Sequence, residues 1–127
     1  GVWLEITNLL VPGYSDELKM IEKMTCWLVE NGFAETPLHF SRFFPTHKLA
    51  DLNPTTVKTI IDAVDIAVKS GMKFVYTGNM PDKGRENTVC PDCKHILVKR
   101  HGYDVSKTEL IDGECPVCGK LIPGIWD

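Results

Sequence analysis

No stretch of this chain stays apolar for the roughly 20 residues a bilayer-spanning helix needs. No run of Lys or Arg is long enough to read as a nucleic-acid arm or a polybasic membrane patch. Neither nucleic acid nor membrane is therefore expected as a partner. No basic, apolar, small-residue leader opens the chain, so the cytoplasm is the expected compartment. The motifs G-x-S-x-G and H-E-x-x-H, a P-loop, and G-x-G-x-x-G after a strand are all missing, as are internal repeats and low-complexity segments. Self-contained nucleophilic or nucleotide-handling chemistry is not expected of these residues alone. What is there is ordinary: 43% of the 127 residues are hydrophobic and 24% charged, with 14 basic against 17 acidic side chains and a formal net charge of -3. That is enough apolar material for one modest core plus a stapled appendage. Gly1 is not a start methionine and the sequence is strand-like from its first residues, so the chain reads as part of a longer one.

Residues 2–11 are rich in β-branched and large apolar side chains and run into Pro12-Gly13, which marks a strand followed by a turn. Ser15, Asp16 and Glu17 supply capping oxygens, and Leu18, Ile21, Met24 and Leu28 recur at helical spacing up to Asn31-Gly32. Pro37 opens a second strand over residues 38–44. Asn53-Pro54 reads as a cap with Pro at the first helical position. Val57, Ile60, Ile61, Val64, Ala67 and Val68 then share one helical face, which Gly71 ends. Residues 73–77 make a third strand. This βαβαβ order predicts an α/β unit with a parallel sheet over residues 1–80, a linker over 81–89 and a cysteine-bearing module over 90–127. In the last segment short strands are expected at 96–100 and 109–111, and no helix.

Cys90-Pro91-Asp92-Cys93 and Cys115-Pro116-Val117-Cys118 form two C-x-x-C pairs. Two residues between ligands let a tight knuckle aim both sulfurs at one ion, and Gly119 tolerates the positive φ that such a turn needs. Lys94 stands where the first knuckle would have Gly. Disulfides are the competing reading, disfavoured in a reducing compartment. A closed shell of four thiolates leaves no open position, so Zn2+ here would be structural, serving to fold a segment poor in apolar residues. Iron in a rubredoxin-like site uses the same ligands and stays open. The fifth cysteine, Cys26, sits inside the first helix and is expected to be a packed thiol.

Parallel strands covered on both faces read as continuous apolar runs. Here polar residues interrupt one alternating face: Glu5 and Thr7 on the first strand, His39 and Ser41 on the second. Thr7, Asn8, Ser41, Arg42, Thr77 and Asn79 fall near strand ends, where α/β folds build ligand sites. The bland alternative is that Glu5 and His39 merely bond each other, and that Arg42 pairs with Asp16 or Asp51. His47 and His101 are expected on the surface, and Trp126 packed against the cysteine module or the sheet.

The segments Gly1-Val-Trp-Leu-Glu-Ile-Thr7, Leu10-Val-Pro-Gly-Tyr-Ser-Asp16, His39-Phe-Ser-Arg-Phe-Phe-Pro45, Tyr76-Thr-Gly-Asn-Met-Pro81 and Glu86-Asn-Thr-Val-Cys-Pro-Asp-Cys93 span most of the chain. Together they resemble the C-terminal half of radical S-adenosylmethionine proteins of the pyruvate formate-lyase activating enzyme-like group, in the branch known as the AmmeMemoRadiSam system. The resemblance implies part of a (β/α)6 barrel. Its other half would carry a C-x-x-x-C-x-x-C loop for a 4Fe-4S cluster, absent from these residues. It also implies that Glu5, Thr7, His39, Ser41 and Asn79 lie beside S-adenosylmethionine or substrate. The activating enzymes carry a cofactor-contacting His after the second of these strands; Arg42-Phe43-Phe44 stands there, so that contact does not carry over. The implied activity is hydrogen abstraction, as in glycyl-radical activation of a protein substrate. The implied partner is the rest of the barrel, and an isolated fragment with open edges should self-associate. Two other readings remain: a non-catalytic zinc-ribbon interaction module, and a rubredoxin-like electron-transfer domain.

Overall fold

The computed structural model describes residues 1–80 and 84–126. Residues 81–83 of the expected linker, and Asp127, lie outside the described residues. The chain divides into two units, Glu5–Pro81, and Gly1–Leu4 together with Asp82–Asp127.

The first unit is a mixed α/β layer. Strands β1 (Ile6–Leu10), β2 (Leu38–Arg42) and β3 (Val75–Gly78) form a parallel sheet in sequential order, joined by helices α1 (Leu18–Glu30) and α2 (Val57–Ser70). Right-handed crossovers between sequential strands put both helices on one face. The two helices pack together, and α2 lies against β2 and β3. Leu10, Ile21, Leu38, Phe40, Ile60 and Ala67 are the centre of the core between helices and sheet. The mixed α/β class with a parallel sheet is as the sequence leads one to expect.

The element ends differ from expectation, each for a local reason. β1 begins at Ile6 rather than at residue 2 because its ladder needs β2, which starts opposite it at Leu38. Ser15 and Asp16 do not cap α1. Asp16 Oδ1 accepts from the Gly13 N–H at 2.8 Å and the Ser15 hydroxyl donates to the Leu9 carbonyl at 2.6 Å, so both close the Pro12-Gly13 turn, and Glu17 takes the N-cap position without a side-chain bond. The α2 start moves from Asn53-Pro54 to Thr56, whose hydroxyl accepts from the Thr59 N–H at 3.1 Å. The cause lies one residue earlier. Thr55 is buried at the C-terminal end of the sheet, its hydroxyl donating to the Leu10 carbonyl and accepting from the Phe43 N–H, so residues 53–55 are spent bridging strand ends. Gly71 ends α2 at φ 109, the left-handed conformation that glycine adopts without a Cβ clash. Cys26 is half-buried, its sulfur 3.7 Å from the Ser70 hydroxyl at the helix–helix seam.

The second unit is an antiparallel sheet of β4 (Thr88–Val89), β5 (Ile96–His101) and β6 (Asp104–Thr108). β4 falls within the stretch expected as a linker. The strand expected at 109–111 is reduced to an isolated bridge between Ile111 and Glu114, which itself bridges Leu121. β6 takes its place, with every residue exposed. Leu97, Val98 and Ile122 are the buried aliphatic side chains here. Trp126 stays in this unit: its indole N–H donates to the Ile122 carbonyl at 2.9 Å, and its ring covers Gly113, where an added Cβ would lie 3.2 Å away. Among the described residues no helix is long and apolar enough to cross a membrane.

Candidate metal centre

The two C-x-x-C segments build the same turn twice. In the first, the Cys90 N–H donates to the His95 carbonyl at 2.8 Å and the Lys94 N–H to the Cys90 carbonyl at 3.0 Å. In the second, the Cys115 N–H donates to the Lys120 carbonyl and the Gly119 N–H to the Cys115 carbonyl, each at 2.9 Å. The residue after each second cysteine is left-handed, Lys94 at φ 64 and Gly119 at φ 72. Lys94 thus adopts the glycine conformation that the sequence pattern called for, at a steric cost glycine would not incur.

These turns face each other. Cys90 Sγ lies 3.6 Å from Cys118 Sγ, and Cys93 Sγ 3.5 Å from Cys115 Sγ. All four sulfurs fall within 4.8 Å of one another. A disulfide would need about 2.05 Å, whereas four sulfurs set tetrahedrally at about 2.3 Å around one ion are about 3.8 Å apart. The donor set therefore fits a tetrathiolate metal site and not a pair of disulfides, and the four cysteines can hold one metal ion. Cys90 and Cys115 are buried, Cys93 and Cys118 exposed.

The thiols cannot ionise independently, because each thiolate raises the cost of the next. The His95 N–H draws the Cys93 thiol down, but partial loss of hydration and the Cys115 and Cys90 thiols outweigh it and leave Cys93 raised. At Cys115 burial opposes ionisation, yet the N–H groups of Cys118 and Val117 and the neighbouring thiols prevail and lower it to about 7. Cys118, though it receives the Lys120 N–H, is pushed up to about 12 by partial loss of hydration and by the three thiols around it. Of these three thiols Cys115 is the easiest to ionise, and a bound cation favours the thiolate form of its ligands.

The other candidate residues gather on the sheet face opposite the helices. His39 Nε2 lies 3.1 Å from Glu5 Oε2, and the His39 ring stacks on Tyr76 with centroids 5.0 Å apart. Thr7, His39 and Tyr76 are register partners across the three strands, as are Leu9, Ser41 and, opposite Ser41, Gly78. Ser41 Oγ sits 3.1 Å from where a Cβ on Gly78 would be, so Gly78 is what makes room for that hydroxyl. Thr7 is exposed, and Asn79 follows β3 at φ 57, also exposed. Glu5, Thr7, His39 and Ser41 therefore do share one face. Tyr76 is the member of this face the sequence reading missed; its partnership with His39 is visible only once the register is known.

Asn8, Arg42 and Thr77 belong elsewhere. Asn8, Phe40 and Thr77 are register partners one residue out of phase, which turns them toward the helices. Asn8 Nδ2 lies 3.5 Å from Met24 Sδ, and the buried Thr77 hydroxyl has no partner among the described residues. Arg42 makes no ion pair with Asp16 or Asp51 among the described residues; it donates to the Thr55 carbonyl at 2.7 Å and lies over the Phe44 ring.

No protein-family model matches the chain, and no solved structure does. Among curated proteins, an uncharacterized protein of Methanocaldococcus jannaschii is 38% identical over 124 residues, covering 96% of this chain and 37% of that protein. The chain thus spans little more than a third of the length of the curated relative it matches.

Proposed function

We propose that the chain is the C-terminal portion of a radical S-adenosylmethionine enzyme resembling the pyruvate formate-lyase activating enzymes, ending in a structural zinc ribbon. The observation that carries this reading is the sequential β1-β2-β3 order with both helices on one face and a polar row of Glu5, Thr7, His39 and Ser41 on the other. A Rossmann-type sheet reverses its strand order at a switch point and is covered on both faces. A barrel never reverses, and its uncovered face becomes the lumen. The greater length of the archaeal relative leaves room for the remaining strands.

On this reading the 4Fe-4S cluster and S-adenosylmethionine together supply the reductive chemistry. The cluster's C-x-x-x-C-x-x-C loop would lie outside this chain. What these residues contribute is orientation: Glu5 fixes the His39 ring through its Nε2, Tyr76 supports that ring from β3, and Thr7, Ser41 and Asn79 present hydroxyl and amide groups to cofactor or substrate. The closed tetrathiolate leaves no coordination site for substrate, which assigns zinc a structural role. The partners on this reading are the rest of the barrel and a protein whose glycine is the site of hydrogen abstraction; the 127 residues alone would associate through the open edges of β1 and β3.

The test is anaerobic assay of the longer reading frame, reconstituted with iron, sulfide and dithionite. It should release 5′-deoxyadenosine from S-adenosylmethionine, while residues 1–127 alone release none. Turnover by these residues alone, or none by the longer protein with a full cluster, would refute the reading.

A further inference from the structure

Each knuckle is held through the peptide groups of a single residue that lies two positions beyond its second cysteine. In the first knuckle that residue is His95. Its N–H bonds the Cys93 sulfur and its carbonyl accepts from the Cys90 N–H at 2.8 Å, so a rotation of this one residue disturbs both cysteines. In the second knuckle Lys120 takes the same place, bonding the Cys118 sulfur and accepting from the Cys115 N–H.

His95 differs from Lys120 in carrying a ring that can be clamped. Its Nε2–H donates to Glu109 Oε2 at 2.6 Å, and the other carboxylate oxygen is gripped by Lys107 from the end of β6. Glu109 is in turn fixed to β5, its N–H donating to the Leu97 carbonyl at 2.8 Å. Both side chains are about one-third exposed, so the contact is partly sheltered from water. The ring is thus tied to the β5–β6 sheet while the backbone of the same residue orients two sulfurs.

We propose that Glu109 and His95 are positioning residues of the metal centre, Glu109 holding the His95 ring so that the His95 peptide groups keep Cys90 and Cys93 aimed at the ion. This deepens the zinc-ribbon reading and rests on it. Outer partners of this kind are worth about 10–100-fold in metal affinity.

The test is cobalt titration of the full 127-residue chain followed through the thiolate-to-cobalt absorption, with zinc competition for affinity. Glu109→Ala and His95→Ala should each weaken binding about 10–100-fold, and the double variant should be no weaker than the worse single one, because both remove one contact. Glu109→Gln, whose amide oxygen still accepts from Nε2, should restore affinity to within about twofold of the parent. Lys107→Ala, which leaves the Nε2–carboxylate contact in place, should weaken binding less than Glu109→Ala. Single-variant affinities equal to the parent's, losses that add in the double variant, failure of Glu109→Gln to rescue, or an equal loss in Lys107→Ala would each overturn the proposal. If the parent takes up no metal, the zinc-ribbon reading falls with it; if the parent binds and Glu109→Ala binds as tightly, the positioning role alone falls.

Discussion

Removing the metal should unfold the cysteine-bearing unit and leave the α/β unit standing. Among the described residues the buried aliphatic side chains of the ribbon are Leu97, Val98 and Ile122. At about 1.5–3 kcal/mol each they contribute roughly 5–9 kcal/mol. Four-thiolate zinc binding contributes about 10–16 kcal/mol, so the ion is the larger favourable contribution and its loss is not one the apolar residues can offset. The α/β unit has a core of its own, which runs from Leu10 and Phe40 through Ile21 and Ile60 to Ala67. Amide NMR with excess chelator separates the two. Resonances of residues 88–126 should collapse to unfolded positions while those of 6–80 keep their dispersion, and zinc should restore them. Dispersed ribbon resonances in metal-free protein would refute the argument.

Other outcomes follow from single contacts. Lys94→Gly should stabilise the zinc-loaded ribbon by up to about 1.5 kcal/mol, since relief of a left-handed residue is worth about 1–2 kcal/mol and glycine returns about 0.5–1 kcal/mol of it as chain entropy; a lower melting temperature would contradict this. Thr55→Val keeps the shape but strands the buried Leu10 carbonyl and Phe43 N–H, so urea denaturation should show a loss of about 2–4 kcal/mol, and a loss below about 0.5 kcal/mol would deny the bridge its role. Metal affinity should rise with pH: binding releases thiol protons, one from Cys115 at about 7 and others from Cys93 and Cys118, which are held higher, so competition titrations should show binding weakening from pH 8 to pH 6, and pH-independent affinity would exclude thiolate ligation. Light scattering of the isolated 127 residues should show association that grows with concentration, and a monomer throughout would speak against exposed pairing edges.

Much of the α/β unit is legible in the sequence because its signals are local. The Leu18, Ile21, Met24 and Leu28 spacing and the Gly71 stop each depend on a few neighbouring residues. The failures are where a side chain answers to something far along the chain. Ser15 and Asp16 look like helix caps but serve the turn after β1, and Pro54 looks like a helix start but precedes a threonine pulled back to the strand ends. β6 has no apolar alternation to announce it, because all of its residues are exposed. The four-cysteine site was readable because knuckle spacing is itself local chemistry. The His95–Glu109 pair was not: a histidine two residues after a C-x-x-C is a weak cue until β5 and β6 bring Glu109 to it. Likewise the polar row on the sheet follows from alternation, whereas Tyr76 and the helix-facing placement of Asn8 and Thr77 require the register.

The central claim is that these residues complete a barrel whose other part holds the iron–sulfur cluster. Reading the coding sequence upstream of the Gly1 codon tests it most directly. An in-frame C-x-x-x-C-x-x-C ahead of further βα repeats is the expected result. Translation beginning near Gly1, or a long upstream frame without that loop, would contradict it and leave a metal-ribbon module on an α/β base.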